Sequence, residues 1–177
     1  RPLKVALIQA NIQPSMKWDP EALIPILQAH LELTREHLDA DVIVWPETAV
    51  PAFLDEMREG LIDPLTLTAR EEGVAMVLGI PYREADGRYF NGLLSLGGQD
   101  GLYAKRHLVP FGEFMPFKGL LGPLVKLFEV PMSDFSAGRA GDSLIPVGGL
   151  PVGASICYED VFPEEVIRAL PQAAYLI

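Results

Sequence analysis

The sequence predicts an α/β domain built on a mixed sheet, and three observations carry that expectation. Over the first 80 residues β-prone runs alternate with helical patterns, the order that builds parallel strands. In the middle, the turn Gly97-Gly98-Gln99-Asp100-Gly101 joins two apolar runs as a hairpin does, so the sheet is not purely parallel. Finally, the run of small and branched residues at 152–156 leads to Cys157, the only cysteine of 177 residues, and then to the acidic turn Glu159-Asp160. That pattern is a buried strand breaking at its carboxyl end, where open α/β sheets keep their chemistry. A two-layer αβ unit follows, with one sheet face free to stack on a second sheet.

Residues 3–9 are the first strand by length and β-branched content, and a loop covers 10–18. Asp19-Pro20 is an N-cap and first-position pair. Leu23, Leu27, Leu31, Thr34 and Leu38 then recur at helical spacing on one face, while Pro25 kinks that helix or shifts its start. Residues 41–45 are the second strand, ended by Pro46-Glu47. A helix interrupted near Pro64 occupies 53–72. Strands follow at 74–80, 89–96 and 102–105. The segment 110–141, rich in Pro, Gly and Phe, lacks periodicity, and loops this long in a compact domain serve as lids or binding segments. Residues 144–147 and 152–156 are strands again and 163–170 a short helix. At 172–177 another strand begins, so the sequence reads as a piece of a longer protein, one partial domain, 1–177, truncated at its C-terminal side.

Composition narrows the function classes. A net charge of −10 argues against nucleic acid, whose phosphates need clustered Lys and Arg. A single Cys makes no internal disulfide, and His30, His37 and His107 are scattered where a structural zinc site needs about four ligands. No metal is expected. The uncharged run 143–158 is broken by Pro146 and Pro151 and falls short of the roughly 20 residues of a spanning helix, so membrane contact by this segment is expected to be peripheral.

Glu47, Lys105 and Cys157 all fall at the ends of expected strands. A thiol needs a base to become a thiolate, and a carbonyl under attack needs a positive group where its oxygen gains charge. Glu, Lys and Cys together supply both. Singly, Glu47 reads as a turn acid and Lys105 as a strand-end cation.

In that order and setting, the three residues resemble the nitrilase superfamily, whose Glu-Lys-Cys triad stands on an αββα sandwich. Trp45-Pro46-Glu47, Tyr103-Ala104-Lys105 and Ile156-Cys157-Tyr158-Glu159 carry the likeness. The longer run Tyr103-Ala104-Lys105-Arg106-His107-Leu108-Val109-Pro110-Phe111-Gly112-Glu113-Phe114-Met115-Pro116 is similar to the signature of bacterial apolipoprotein N-acyltransferases. The resemblance implies that Cys157 is a nucleophile acylated as a thioester, Glu47 the general base and acid, and Lys105 the oxyanion partner. It also implies that Glu113 holds Lys105 charged, that the backbone N–H of Tyr158 helps hold the oxyanion, that Glu159 is an acid near the site, and that Trp18 is an aromatic of the substrate loop. On residues alone, Glu113 and Glu159 fit surface ion pairs equally well, Trp18 fits a core anchor, and His107 has no role.

The implied activity is transfer of an acyl chain from a phospholipid to the N-terminal amine of a diacylglyceryl-cysteine lipoprotein, at the periplasmic side of the bacterial inner membrane and without a cofactor. The apolar segment 115–128, whose two charges are Lys118 and Lys126, suits a membrane surface. Its composition alone fits an inward-folded segment as well. Two other classes remain: a soluble carbon–nitrogen hydrolase acting on a small amide, and a non-catalytic module of the same fold.

Overall fold

Two sheets divide the chain in a computed structural model that describes residues 2–114, 134–139, 141 and 143–177. The first contains β1 (Val5–Leu7), β2 (Val42–Val44), β3 (Ala75–Arg83), β4 (Tyr89–Leu96) and β5 (Gly101–Ala104), in that spatial order. β1, β2 and β3 run parallel, whereas β3–β4 and β4–β5 are antiparallel. The second sheet contains β6 (Leu144–Val147), β7 (Leu150–Gly153) and β8 (Tyr175–Leu176). β6 and β7 pair antiparallel, β7 and β8 parallel.

Side-chain alternation explains the layers. Successive residues of a strand point to opposite faces, and both faces of β2 and β3 are apolar. Ile43, Trp45, Met76, Leu78 and Ile80 face a helical layer that supplies Leu27, Leu61, Ile62 and Leu65. Their neighbours Val42, Ala75 and Val77, joined by Leu93 and Tyr103, instead meet Ile145, Val147, Val152, Ala154 and Ile156 of the second sheet. Each such buried aliphatic side chain contributes about 1.5–3 kcal/mol, so the order of layers follows from two apolar faces on one sheet. Beyond the second sheet, the short helix Pro163–Val166 and the 3-10 turn Ile167–Ala169 bury Ala169, whose Cβ closely approaches Gly153.

The helical layer consists of α1 (Leu23–Arg35), α2 (Leu54–Met57) and α3 (Asp63–Glu72). Asp19 caps a 3-10 turn, Pro20–Ala22, by accepting from Glu21 N–H, and α1 starts only after it, so Pro25 falls in the first turn and leaves the helix unbroken. The break expected near Pro64 lies earlier, in a π turn, Arg58–Ile62, because Pro64 sits in the first turn of α3, where its missing N–H costs nothing. The first strand is shorter than the expected 3–9, and two other strand ends differ by more. β3 runs on through Pro81 to Arg83, and β7 stops at Gly153. Ala154 and Ser155 stay extended, donating to Ser143 and Ile177 carbonyls, before Cys157 opens a 3-10 turn, Cys157–Val161. The apolar segment 115–128 lies outside the described residues.

Candidate active site

The first site residue stands on the turn that ends β2. Trp45 anchors this turn in the core, its indole N–H donating to Thr34 Oγ1 at 2.8 Å. Glu47 follows, and Thr48 takes a left-handed φ of 49°, a conformation that costs a β-branched residue about 1–3 kcal/mol. The turn lies against Gly79 of β3, where a Cβ would stand 2.3 Å from the Pro46 carbonyl oxygen and 2.5 Å from Thr48 N. Only glycine admits that approach. Lys17 completes the turn by donating to the Glu47 carbonyl at 2.8 Å.

Lys105 follows β5, its N–H donating to the Asn91 carbonyl so that the ladder continues past the strand. Its side chain is 1% exposed, and the ammonium lies 3.1 Å from Glu47 Oε1 and 2.9 Å from Glu113 Oε2. Burial works against the charge, but the hydrogen bond to Glu113 and the charges of Glu47 and Glu113 outweigh it and hold Lys105 above the ordinary lysine value. Glu113 is positioned by a tight turn in which Phe111 has φ 64°, and its Oε2 accepts from Val109 N–H at 2.8 Å. Asn91, 3% exposed in β4, donates through Nδ2 to Glu47 Oε1 and to Glu113 Oε1, both at 2.8 Å. Its Oδ1 has no hydrogen-bond partner among the described residues, a cost of about 1–3 kcal/mol. Flipping the amide would set that oxygen against two carboxylates, so the orientation is fixed.

Cys157 has φ 51° and is exposed. Partial desolvation pushes its thiol above the ordinary value, as do the charge of Glu47 and the hydrogen bond between the two side chains, while Lys105 and the Tyr158 N–H pull it down. Glu47 and burial thus favour the protonated thiol, against the pull of Lys105 and the Tyr158 N–H.

Glu159 lies in the cysteine turn itself and is buried there. It is 2% exposed and accepts from Tyr103 Oη at 2.7 Å and from the N–H groups of Ile156 and Arg106 at 2.8 Å. Burial, and then this bond to Glu159, drive the Tyr103 phenol well above its usual value. Glu159 thus clamps the cysteine turn to the segment after Lys105, and neither it nor Glu113 is a surface ion pair. Tyr158 is exposed, edge-on to Phe162 at 5.5 Å. Trp18 is exposed and anchors no core. His107 bonds Glu165 at 2.9 Å and stacks on Phe162.

The structure thus brings Glu47, Lys105, Glu113 and Cys157 together. Asn91 and Lys17 join them, and neither was singled out from sequence. For Asn91 a signal existed, a lone amide on the inward face of an apolar strand; for Lys17 there was none. Among the described residues no group of His, Cys, Asp and Glu has the geometry of a metal site.

The family described as carbon–nitrogen hydrolase matches residues 4–177. The chain belongs to the carbon–nitrogen hydrolase family. Among curated relatives, an apolipoprotein N-acyltransferase of Methylococcus capsulatus is 45% identical over 99% of the chain, and one of Pseudomonas aeruginosa strain UCBPP-PA14 is 42% identical over 99%. The chain spans 35% of the length of each. The crystal structure of a carbon–nitrogen hydrolase from Helicobacter pylori G27 superposes with a TM-score of 0.65 at 20% identity, over 98% of this chain and 58% of that one. This likeness establishes the shared nitrilase-like α/β fold of the carbon–nitrogen hydrolase family.

Proposed function

We propose that this chain is part of the catalytic domain of an N-acyltransferase that moves an acyl chain from a phospholipid, through a thioester on Cys157, to the α-amine of a diacylglyceryl-cysteine lipoprotein. The observation that carries the chemistry is the cluster of Glu47 and Glu113 around the buried Lys105 ammonium, with the charges of Glu47 and Lys105 acting on the Cys157 thiol. The choice of substrate rests on the apolipoprotein N-acyltransferases that match nearly the whole chain at 42–45% identity.

The steps follow from the contacts. Glu47 Oε1 is occupied by Asn91 and Lys105, so Oε2 is the oxygen left to take the thiol proton. The sulfur then attacks the phospholipid ester carbonyl, whose oxygen becomes an anion. An ammonium has three donors; Glu47 takes one and the two oxygens of Glu113 share another, which leaves Lys105 one for that anion. The Tyr158 N–H, which lowers the Cys157 value, is the second donor proposed for that anion. When the C–O bond breaks, Glu47 returns its proton to the departing glyceryl oxygen and the thioester remains. In the second half, the lipoprotein amine attacks the thioester, Glu47 takes the amine proton, the C–S bond breaks and the sulfur recovers its proton. Such acid–base assistance contributes about 10²–10⁴-fold.

Glu113 keeps Lys105 charged and aimed. Trp18 stands next to Lys17, which holds the Glu47 turn, so the exposed indole is suited to meet the substrate beside the base. The reaction is placed at the periplasmic face of the bacterial inner membrane, with segment 115–128 at the lipid surface through its apolar residues and Lys118 and Lys126.

The test follows acyl transfer in membranes from isotope-labelled phospholipid to a diacylglyceryl-cysteine peptide by the intact protein. Label should appear as an amide on the peptide and vanish with Cys157→Ser, whereas replacing Leu120, Leu121 and Leu127 by Ser should slow transfer about tenfold or more. Full transfer by Cys157→Ser overturns the nucleophile. Turnover of small amides without label transfer would instead favour an amidase.

A further inference from the structure

The amide of Asn91 solves a problem that the four reacting groups pose. Glu47 and Glu113 share one ammonium, so two negative charges meet a single positive one in a largely buried place, and like charges this close raise the cost of keeping both ionised. A base that has already taken a proton cannot remove one from a thiol. Asn91 is buried, and both of its amide hydrogens go to these acids, one to Glu47 Oε1 and one to Glu113 Oε1, while Oδ1 stays without a partner among the described residues. The same residue's carbonyl accepts from Lys105 N–H. An asparagine serving only the fold would satisfy its own oxygen; this one is oriented wholly for the two carboxylates.

We propose that Asn91 is a positioning residue for the transfer, a neutral bridge that lets Glu47 and Glu113 remain carboxylates on one lysine and presents Glu47 unprotonated to Cys157. The inference rests on Glu47 being the base. A neutral double donor suits this place. A third carboxylate would add repulsion, and an apolar side chain would supply no donor.

The experiment measures single-turnover formation of the Cys157 thioester from labelled phospholipid in the intact protein. Asn91→Asp, almost identical in shape, should slow it about 100-fold. Asn91→Leu, which removes the donors but adds no charge, should slow it about tenfold. If Asn91 mattered only for shape, that ranking would reverse. The decisive variant is the swap Asn91→Asp with Glu113→Gln, which again leaves two carboxylates and one amide around Lys105 and should recover thioester formation to within about tenfold of wild type. A swap no faster than Asn91→Asp alone overturns the proposal. Should Asn91→Asp fail to fold, Asn91→Leu with and without Glu113→Gln decides: a smaller loss in the Gln background supports the bridge, and equal losses overturn it. Failure of the underlying reading shows separately, as a Glu47→Gln protein that forms the thioester at the wild-type rate.

Discussion

Glu159 and Glu47 are both carboxylates tied to the turn that carries Cys157, and the protein treats them in opposite ways. Glu159 is buried and saturated: a phenol and the backbone N–H groups of Ile156, Arg106 and His107 fill its lone pairs, and the Arg106 guanidinium at 3.8 Å adds a nearby positive charge. Glu47 has a side chain 34% exposed, shares its ammonium with Glu113, and has an oxygen free of both Asn91 and Lys105. A carboxylate with every lone pair filled is a strut, because any proton it accepts breaks a bond that holds the fold. One with an oxygen left open near a thiol is suited to the proposed role of base. The two roles stand two residues and one contact, respectively, from the same sulfur.

Four substitutions test this contrast, from the largest expected effect to the smallest. Glu159→Ala leaves the Tyr103 hydroxyl and the Ile156 and Arg106 N–H groups unpaired and should lower stability by about 3–5 kcal/mol in denaturant melts; a loss under about 1 kcal/mol would contradict the strut. Glu47→Gln should change stability by less than about 1 kcal/mol while slowing acyl transfer by about 10²–10⁴-fold. The same change should make the thiol more acidic. Glu47 raises the Cys157 value through its charge and its hydrogen bond, so its neutralisation moves thiolate absorbance to lower pH, and the variant holds more thiolate yet transfers more slowly. A titration moving to higher pH would refute the assigned contact. Gly79→Ala puts a methyl group against the Pro46 carbonyl and should cost about 1–3 kcal/mol, with transfer falling further than stability because the displaced residue is the base. His107→Gln, which removes a partly exposed contact to Glu165, should cost less than about 1 kcal/mol and leave transfer within about threefold.

Glu47 as the proposed base was implied by the resemblance, but that Glu159 is a strut was not legible in the sequence. The partners that saturate Glu159 come from Tyr103 and Arg106, more than 50 positions earlier, and only the packing of one sheet on the other brings them near. Local pattern read more easily. The bounds of β4 match the expected 89–96, because an apolar run bounded by turn residues has one solution, and the hairpin into β5 follows from its glycines. The π turn at Arg58–Ile62 leaves no comparable mark, since acidic and apolar residues are mixed there. Likewise, the runs that became β6 and β7 were recognisable as strands, while their membership of a second sheet depends on where the chain goes after β5. Asn91 shows the same limit at the site. A polar residue inside β4 is visible at once, but the acids it bridges are known only when two turns from distant parts of the chain converge on it.

The central claim is that Cys157 carries the acyl group, and trapping the intermediate tests it most directly. Intact protein should be incubated with labelled phospholipid and no acceptor, then digested and weighed. The peptide containing Cys157 should gain the mass of one acyl chain, lose it on treatment with neutral hydroxylamine, and lose it on addition of a diacylglyceryl-cysteine peptide. A protein that transfers label while its Cys157 peptide stays unmodified throughout would contradict the account.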